Sequence, residues 1–149
     1  NLHEALGAAA AAPGSAAERM ARVVRAQVTM ELKNGSSAPL VNAHLYGPQY
    51  LTDMLQPAQQ ETLRERQRAL VKIYRTLIDQ GIAAGEFLVA SAAVAAFNVL
   101  AVVQYSGVWY RPRKGRRMAD LIDAQVAAAL QLLGATAPAS PPSPRKARP

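Results

Sequence analysis

Few side chains in this sequence have the types and spacing that catalysis requires. The two histidines, His3 and His44, have no serine, aspartate or metal-ligand partner at a useful spacing. The ten acidic residues are scattered over polar stretches, and neither a glycine-rich phosphate loop nor a G-x-S-x-G sequence occurs. The sequence therefore predicts no enzyme, no metal centre and no bound cofactor.

The chemistry that the sequence favours is the binding of an apolar or amphipathic small molecule. Methionine and aliphatic side chains form adaptable walls, tyrosine hydroxyls orient a ligand, and we expect no buried acid that would demand a cation. An anionic head group could meet Arg22, Arg25 or Arg75. Ordinary core packing is the alternative for each wall residue. The predicted ligand-binding residues are Met20, Val24, Val28, Leu45, Tyr46, Tyr50, Met54, Tyr74, Ile78, Phe97 and Tyr105.

Helices must bring these residues together, because the sequence has no alternating strand pattern and predicts an all-α chain. Apolar periodicity, together with glycine and proline breaks, predicts helices over 2–12, 15–34, 40–46, 49–55, 57–84, 91–109 and 116–133. Ser15 and Glu18 match a capping box at the start of the second helix. Pro57 suits the first turn of the long helix, and Ser91 suits the cap of the next one.

The segment from Phe87 to Tyr110 is apolar on all sides and nearly uncharged. It is long enough to cross a bilayer, which takes about 20 apolar residues, and the basic loop after it agrees with the positive-inside rule. Its many alanines and the polar Ser91, Asn98 and Gln104 instead favour a helix buried in protein. We therefore expect no membrane association, and a single-span membrane protein is the alternative.

A helix without a polar face needs cover on every side, and a second copy of the chain can supply part of it. Small residues on this helix and on the last one permit close helix–helix approach. The last two long helices are therefore predicted to form a four-helix interface in a homodimer. A purely structural dimerisation module with a solid core is the alternative to a ligand-binding domain. The predicted interface residues are Ala92, Ala96, Val99, Val103, Val126, Leu130 and Leu133.

The length and composition fit one domain with a disordered extension. The chain has 149 residues and no cysteine, which excludes disulfides and favours the cytoplasm. Residues 1–134 are predicted to form the domain, and residues 135–149 a Pro-rich basic tail. Much of the positive charge behind the net +7 lies in the loop over 111–117 and in this tail. Such charge carries no sequence readout, so we expect no sequence-specific DNA binding by this chain alone.

Two stretches carry a family resemblance. The sequence from Tyr74 to Phe87, YRTLIDQGIAAGEF, resembles the end of the long helix in TetR-family regulatory domains, where a G-x-x-x-G-x-F turn precedes the dimerisation helix. Trp109-Tyr110-Arg111-Pro112 resembles the W-[YF]-x-P end of that next helix in one large sub-branch. Several members of this sub-branch sense fatty-acyl or steroid-derived compounds. The resemblance covers about residues 2–134.

The resemblance implies a TetR C-terminal-like helical bundle, with the ligand pocket between the second, middle and long helices. It also implies transcriptional regulation, with repression expected. The family's N-terminal helix-turn-helix has no counterpart in this sequence, so we expect the chain to be a fragment that meets DNA only through that missing domain. Ligand entering the core would shift the first helix and change the spacing of two DNA-reading heads.

Overall fold

The computed structural model describes residues 1–34, 42–43, 46–47, 49–110, 115 and 117–135. In these residues the all-α prediction is confirmed, with no strand. The predicted helix over 40–46 lies largely outside the described residues, and the predicted tail beyond Ala135 lies wholly outside them. The helices are α1 (Leu2–Ala11), α2 (Ala16–Asn34), α3 (Gln49–Met54), α4 (Pro57–Ala83), α5 (Ala92–Trp109) and α6 (Met118–Leu132).

The predicted helix starts are confirmed by their hydrogen bonds. At the start of α2, the Glu18 backbone N–H donates to Ser15 Oγ over 3.1 Å, and the Ser15 N–H donates to Glu18 Oε2 over 2.8 Å. Pro57 occupies the first turn of α4. The Ser91 hydroxyl accepts from the Val94 N–H at the start of α5. Local side-chain chemistry therefore sets where these helices begin.

Helix α2 lies at the centre of the bundle and packs against α1, α4, α5 and α6. Its apolar side chains face inward because they recur at helical spacing along one side. They pack with inward residues of the other helices into one core. The core includes Leu6, Met20, Val23, Val24, Val28, Leu70, Leu77, Ile78, Val99, Leu100, Val103, Val126 and Ala129.

A tight turn joins α4 to α5 and gives the G-x-x-x-G-x-F sequence a physical explanation. The Phe87 ring folds back against Gly81, where even a Cβ atom would overlap the ring. The Gly81 carbonyl accepts from the N–H groups of residues 86 and 87 at 2.8 and 3.2 Å. Gly85 has φ +72°, a left-handed conformation that glycine adopts without strain at a helix end. The two glycines and the phenylalanine together reverse the chain.

The same turn fixes the start of α2. The Glu86 carboxylate accepts from the backbone N–H groups of Ala16 and Ala17, each over 3.1 Å. These bonds, that of Ala17 first, hold the pKa of Glu86 below its usual value. A carboxylate is favourable there because the first amides of a helix lack intrahelical partners and carry partial positive charge.

Helix α5 has the length and composition of a membrane span, with a mean hydropathy of 1.5, and 39% of it is buried inside the protein. It lies against α2, α4 and α6. Its Gln104 is buried and exchanges two hydrogen bonds with Gln67 of α4, at 2.9 and 3.4 Å. These contacts favour a core helix of the bundle over a lipid-facing one.

Candidate functional site

A polar group lies inside the apolar core between α2 and α4. The Tyr74 hydroxyl donates to Gln27 Oε1 over 2.7 Å, and both side chains are fully buried. The Gln27 Nε2 atom is also buried and has no hydrogen-bond partner within the part of the chain that is described. Burial, and secondarily the charge of Glu31, raises the pKa of Tyr74 far above its usual value.

Further polar side chains lie near this pair. Glu31 stands one turn beyond Gln27 on α2 and is 1% exposed. A Cβ atom on Gly107 of α5 would come within 2.9 Å of the Glu31 carbonyl, so α2 and α5 touch there. Gln67 and Gln104, which are hydrogen-bonded to each other, lie further along α4 and α5. Gln67 is two turns before Tyr74 and half-buried, and Gln104 is one turn before Gly107 and buried. We call Gln27, Glu31, Gln67, Tyr74 and Gln104 the polar core cluster.

The buried acid differs from the expectation that the core would contain none. Glu31 lies one turn from Gln27 and two turns from Val24, on the side of α2 that faces the bundle. A carboxylate in an amphipathic pattern is normally assigned to the solvated face. Here α2 is surrounded by α1, α4, α5 and α6. The buried side of α2 is therefore wide enough to include Glu31.

Five of the predicted ligand-binding residues converge in the core beside the polar core cluster, or belong to it. They come from only two helices, α2 and α4, which pack against each other. All five are 0% exposed. They are Met20, Val24, Val28, Tyr74 and Ile78.

The predicted ligand-binding residues of the middle segment are not brought into this core. Tyr46 is 73% exposed and Met54 is 63% exposed. Tyr50 is half-buried, and its hydroxyl accepts from Asn42 Nδ2 over 3.1 Å. Leu45 lies outside the described residues.

The two predicted ligand-binding residues of α5 lie on its outer side. Phe97 is 58% exposed and Tyr105 is 40% exposed. With Val94, Ala101 and Trp109 they form a row at spacings of three and four residues, which is one face of a helix. We call these five residues the outer α5 face. Its apolar side chains point away from the core.

The predicted dimer-interface residues lie mainly on the opposite side of α5 and α6, within the core. Ala96, Val99, Val103 and Leu133 are 0% exposed, and Val126 is 8% exposed. Ala92 and Leu130 are partly buried against the same core. A second copy could reach most of these residues only if the bundle opened.

The arginines that were expected to meet an anionic head group bind groups of their own chain. Arg22 donates to the carbonyls of Ala12 and Pro13, the latter over 2.7 Å. Arg25 pairs with Asp123 at 2.6 Å. Arg75 lies 4.0 Å from the Asp79 carboxylate.

Cations are available instead at a cleft that the sequence did not indicate. The cleft lies between α1 and α4, has a volume of about 490 Å³ and is largely open to solvent. His3 and Gly7 of α1, Arg19 of α2, and Lys72 and Ile73 of α4 line it. No motif marks these residues, since they meet only through the placement of α1 on α4. Among the described residues, no three His, Asp or Glu side chains group as a metal site.

The fold and sequence agree with known regulators. The family described as "Tetracyclin repressor-like, C-terminal domain" matches residues 13–133. A TetR/AcrR-family transcriptional regulator from Thermobifida fusca YX-ER1 superposes with a TM-score of 0.71 at 25% identity, over 87% of this chain and 64% of that one. A tetR-family regulatory protein from Rhodococcus RHA1 gives a TM-score of 0.73 at 22% identity, over 91% and 68% of the two chains. No curated protein matches.

The match to the family extends over most of the chain, from the start of α2 to the end of α6. The TetR C-terminal-like bundle expected from the resemblance is therefore confirmed. TetR-family regulators are in general non-enzymatic transcription factors that act as dimers and bind DNA and small molecules. The chain spans about two thirds of the length of the two regulators that it matches. It belongs to the family of tetracyclin repressor-like C-terminal domains.

Proposed function

We propose that this domain senses an apolar or amphipathic effector, dimerises, and represses transcription through a helix-turn-helix domain outside this sequence. Residues 1–134 form the sensing domain, which acts in the cytoplasm without catalysing a reaction. Fatty-acyl and steroid-derived compounds are the first candidates, because several members of the sub-branch that the W-[YF]-x-P helix end resembles sense such molecules. The observation that carries the proposal is the polar core cluster inside an apolar core.

The unpaired amide of Gln27 is the proposed contact for the effector. A buried donor without a partner costs about 1–3 kcal/mol, and native cores contain few such groups. An effector oxygen that accepts from Gln27 Nε2 would remove this cost, while Met20, Val24 and Ile78 supply apolar contacts. Because the Glu31 carboxyl is buried one turn away, a carbonyl or hydroxyl oxygen suits this position better than a carboxylate.

Two arginines link the core to α1. Arg19 Nη1 donates to the Ala10 carbonyl over 3.3 Å, and Arg22 Nη2 donates to the carbonyls of Ala12 and Pro13, just after α1. Both arginines belong to α2, the helix that also carries Gln27. An effector that displaces α2 would therefore move α1, the helix nearest to the proposed DNA-binding domain.

The outer α5 face is the proposed centre of the dimer interface. Val94 and Phe97 are each 58% exposed, and Trp109 is 49% exposed. A continuous apolar row of this kind on a protein surface marks an interaction site. The exposed Ala124 and Ala127 of α6 allow the partner's helices to approach closely. The proposed four-helix interface thus keeps α5 and α6 but uses their outer sides.

Light scattering tests the dimer. The wild-type chain should show twice its mass of 15.9 kDa at micromolar concentration without detergent. Phe97→Glu should give monomers, because it places a charge in the centre of the interface. Met54→Glu, a matched change at an exposed apolar residue of α3, should remain dimeric. A soluble wild-type monomer would contradict the dimer, and insolubility without detergent would favour the membrane alternative.

A thermal-shift screen tests the effector. The compounds are fatty acids and their methyl esters, acyl-CoAs, and steroid ketones and acids. An effector at 100 times its Kd should add about 2.7 kcal/mol of stability. Gln27→Met should weaken binding by about tenfold, whereas Gln131→Met, on the exposed side of α6, should leave it unchanged. If no compound raises the Tm, the sensing proposal is wrong and a structural dimerisation module remains.

A further inference from the structure

We propose that the cleft between α1 and α4 is a second ligand site, which binds a carboxylate carrying an apolar chain. The site lies outside the core, on the side of α4 that faces α1. Its binding does not depend on the proposed effector-sensing function. A ligand there would contact both α1 and α4 and hold them together. An effect of this contact on DNA binding rests on the proposed function.

The cleft has the size and walls of a small-molecule site. Its volume of about 490 Å³ falls within the range of about 300–1,000 Å³ that such sites occupy. The floor consists of small or aliphatic residues, among them Gly7, Ala10, Ala69 and Ile73. A Cβ atom added at Gly7 would meet no described atom within 4 Å, so the space next to the backbone of α1 is open at this position. An apolar chain can therefore lie between the two helices.

The charges around the cleft select an anion. Lys72, Arg19 and His3 line it, and none of the described acidic residues does. Within the described part of the chain, Lys72 forms no salt bridge. His3 Nε2 is buried there and has no hydrogen-bond partner among the residues that the structure describes. An ammonium group and an unpaired imidazole nitrogen at one cleft are suited to the two oxygens of a carboxylate.

Lys72 rather than Arg19 is the proposed partner of the carboxylate. Arg19 donates through Nη1 to the Ala10 carbonyl, and its charge contributes to the lowered pKa of Glu86. Its Nε is buried without a partner among the described residues, but its guanidinium is already held at the contact between α1 and α2. The head group is therefore placed at Lys72 and His3. The apolar chain then extends past Gly7 along α4.

Isothermal titration calorimetry of the 149-residue chain tests this site with decanoate, decanol and butyrate. Decanoate should bind. Decanol has the same chain without the charge and should bind at least about tenfold more weakly, while butyrate should not bind because its chain fills too little of the cleft. Decanol equal to decanoate would overturn the proposed role of the cations. No heat with decanoate would overturn the site.

Two pairs of variants locate the binding. Lys72→Met should weaken decanoate about tenfold, whereas Arg66→Met, an exposed cation on α4 outside the cleft, should not. Gly7→Leu should abolish binding by filling the cleft, and Gly7→Ala should leave most of the space open. Circular dichroism checks that both Gly7 variants fold. If Gly7→Leu does not fold, the comparison of Lys72→Met with Arg66→Met shows whether decanoate binds in the cleft.

The core proposal is tested separately from the cleft. Gln27→Met should not change decanoate binding at the cleft. Decanoate binding that survives both Lys72→Met and Gly7→Leu but is lost in Gln27→Met would overturn the cleft and place the ligand in the core. Loss in the cleft variants alone supports the second site, whatever the effector screen shows.

Discussion

The hydrogen bond between Tyr74 and Gln27 provides a direct test of the polar core cluster. Tyr74→Phe removes one hydroxyl and no other heavy atom, so the ring can keep its place in the core. Gln27 Oε1 then loses a partner at 2.7 Å, in a side chain whose Nε2 has no described partner either. In this variant, neither polar atom of the buried Gln27 amide has a described hydrogen-bond partner. The loss of stability then comes from the unpaired amide and not from a cavity.

The cost follows from burial. A neutral hydrogen bond contributes about 1 kcal/mol net, and a buried polar atom left without a partner costs about 1–3 kcal/mol. Because both side chains are 0% exposed, water cannot replace the lost bond, and we expect Tyr74→Phe to reduce the free energy of unfolding by about 2 kcal/mol. Gln27→Met should cost less than Tyr74→Phe, because it leaves the tyrosine hydroxyl unpaired but also removes the buried Nε2 that has no described partner. The double variant should cost far less than the sum of the two, because no unpaired group of the bond remains.

Urea unfolding of the four proteins at one fixed concentration measures these energies, since dimer stability depends on concentration. For a chain of this length, a loss of 2 kcal/mol corresponds to a fall in Tm of about 4–8 °C. The double-mutant cycle should give a coupling energy of about 2 kcal/mol between Tyr74 and Gln27. Additive effects, with a coupling energy below about 0.5 kcal/mol, would show that the two groups are not bonded in the core.

Three further predictions concern glycine positions and titrating groups. Gly7→Ala should stabilise the protein by up to about 1 kcal/mol, because alanine favours a helix and its Cβ would meet no described atom within 4 Å. Gly107→Ala should destabilise it by about 1–3 kcal/mol, because its Cβ would lie 2.9 Å from the Glu31 carbonyl. Urea unfolding of both variants measures the two changes. The pKa of Glu86 is lowered on folding, so the ionised carboxylate stabilises the protein above its unfolded pKa of about 4.3, and this stabilisation is lost as the pH falls below that value. The free energy of unfolding of Glu86→Gln should therefore change less between about pH 5 and 3 than that of the wild type. The pKa of Tyr74 is raised on folding, so the stabilisation by its protonated hydroxyl is complete below its unfolded pKa of about 10 and declines at higher pH. Ultraviolet titration of the folded protein should therefore count one titrating tyrosine fewer than titration in urea. Tyr74→Phe should remove that difference.

The sequence alone determined the features that depend on near neighbours in the chain. The capping box of Ser15 and Glu18, the proline at the start of α4 and the cap at Ser91 each act within a few residues, and each occurs as predicted. The break at Gly85 that ends α4 also occurs as predicted, whereas the fit of Phe87 against Gly81 in this turn is seen only in the structure. The effects of the caps and of the break are local, so spacing was sufficient to locate the helix ends.

The sequence also indicated which side of α2 and α4 faces inward, since both helices carry apolar stripes. Met20, Val24 and Ile78, which were predicted as ligand-binding residues, lie on these inward sides and are buried in the core. The burial of Glu31 was not predicted, because the width of the covered side depends on how many helices surround α2. The cleft between α1 and α4 was missed for a related reason: His3 and Lys72 lie far apart in the chain and share no motif.

Only the tertiary structure decided the orientation of α5. This helix is apolar all around, so its pattern does not distinguish Val99 and Val103, which lie in the core, from Phe97 and Tyr105, which are exposed. An amphipathic helix carries its orientation in its own sequence, because its polar side must remain in water. A uniformly apolar helix has no such preference. The positions of α2, α4 and α6 around it therefore determine which side is buried and which remains for a partner.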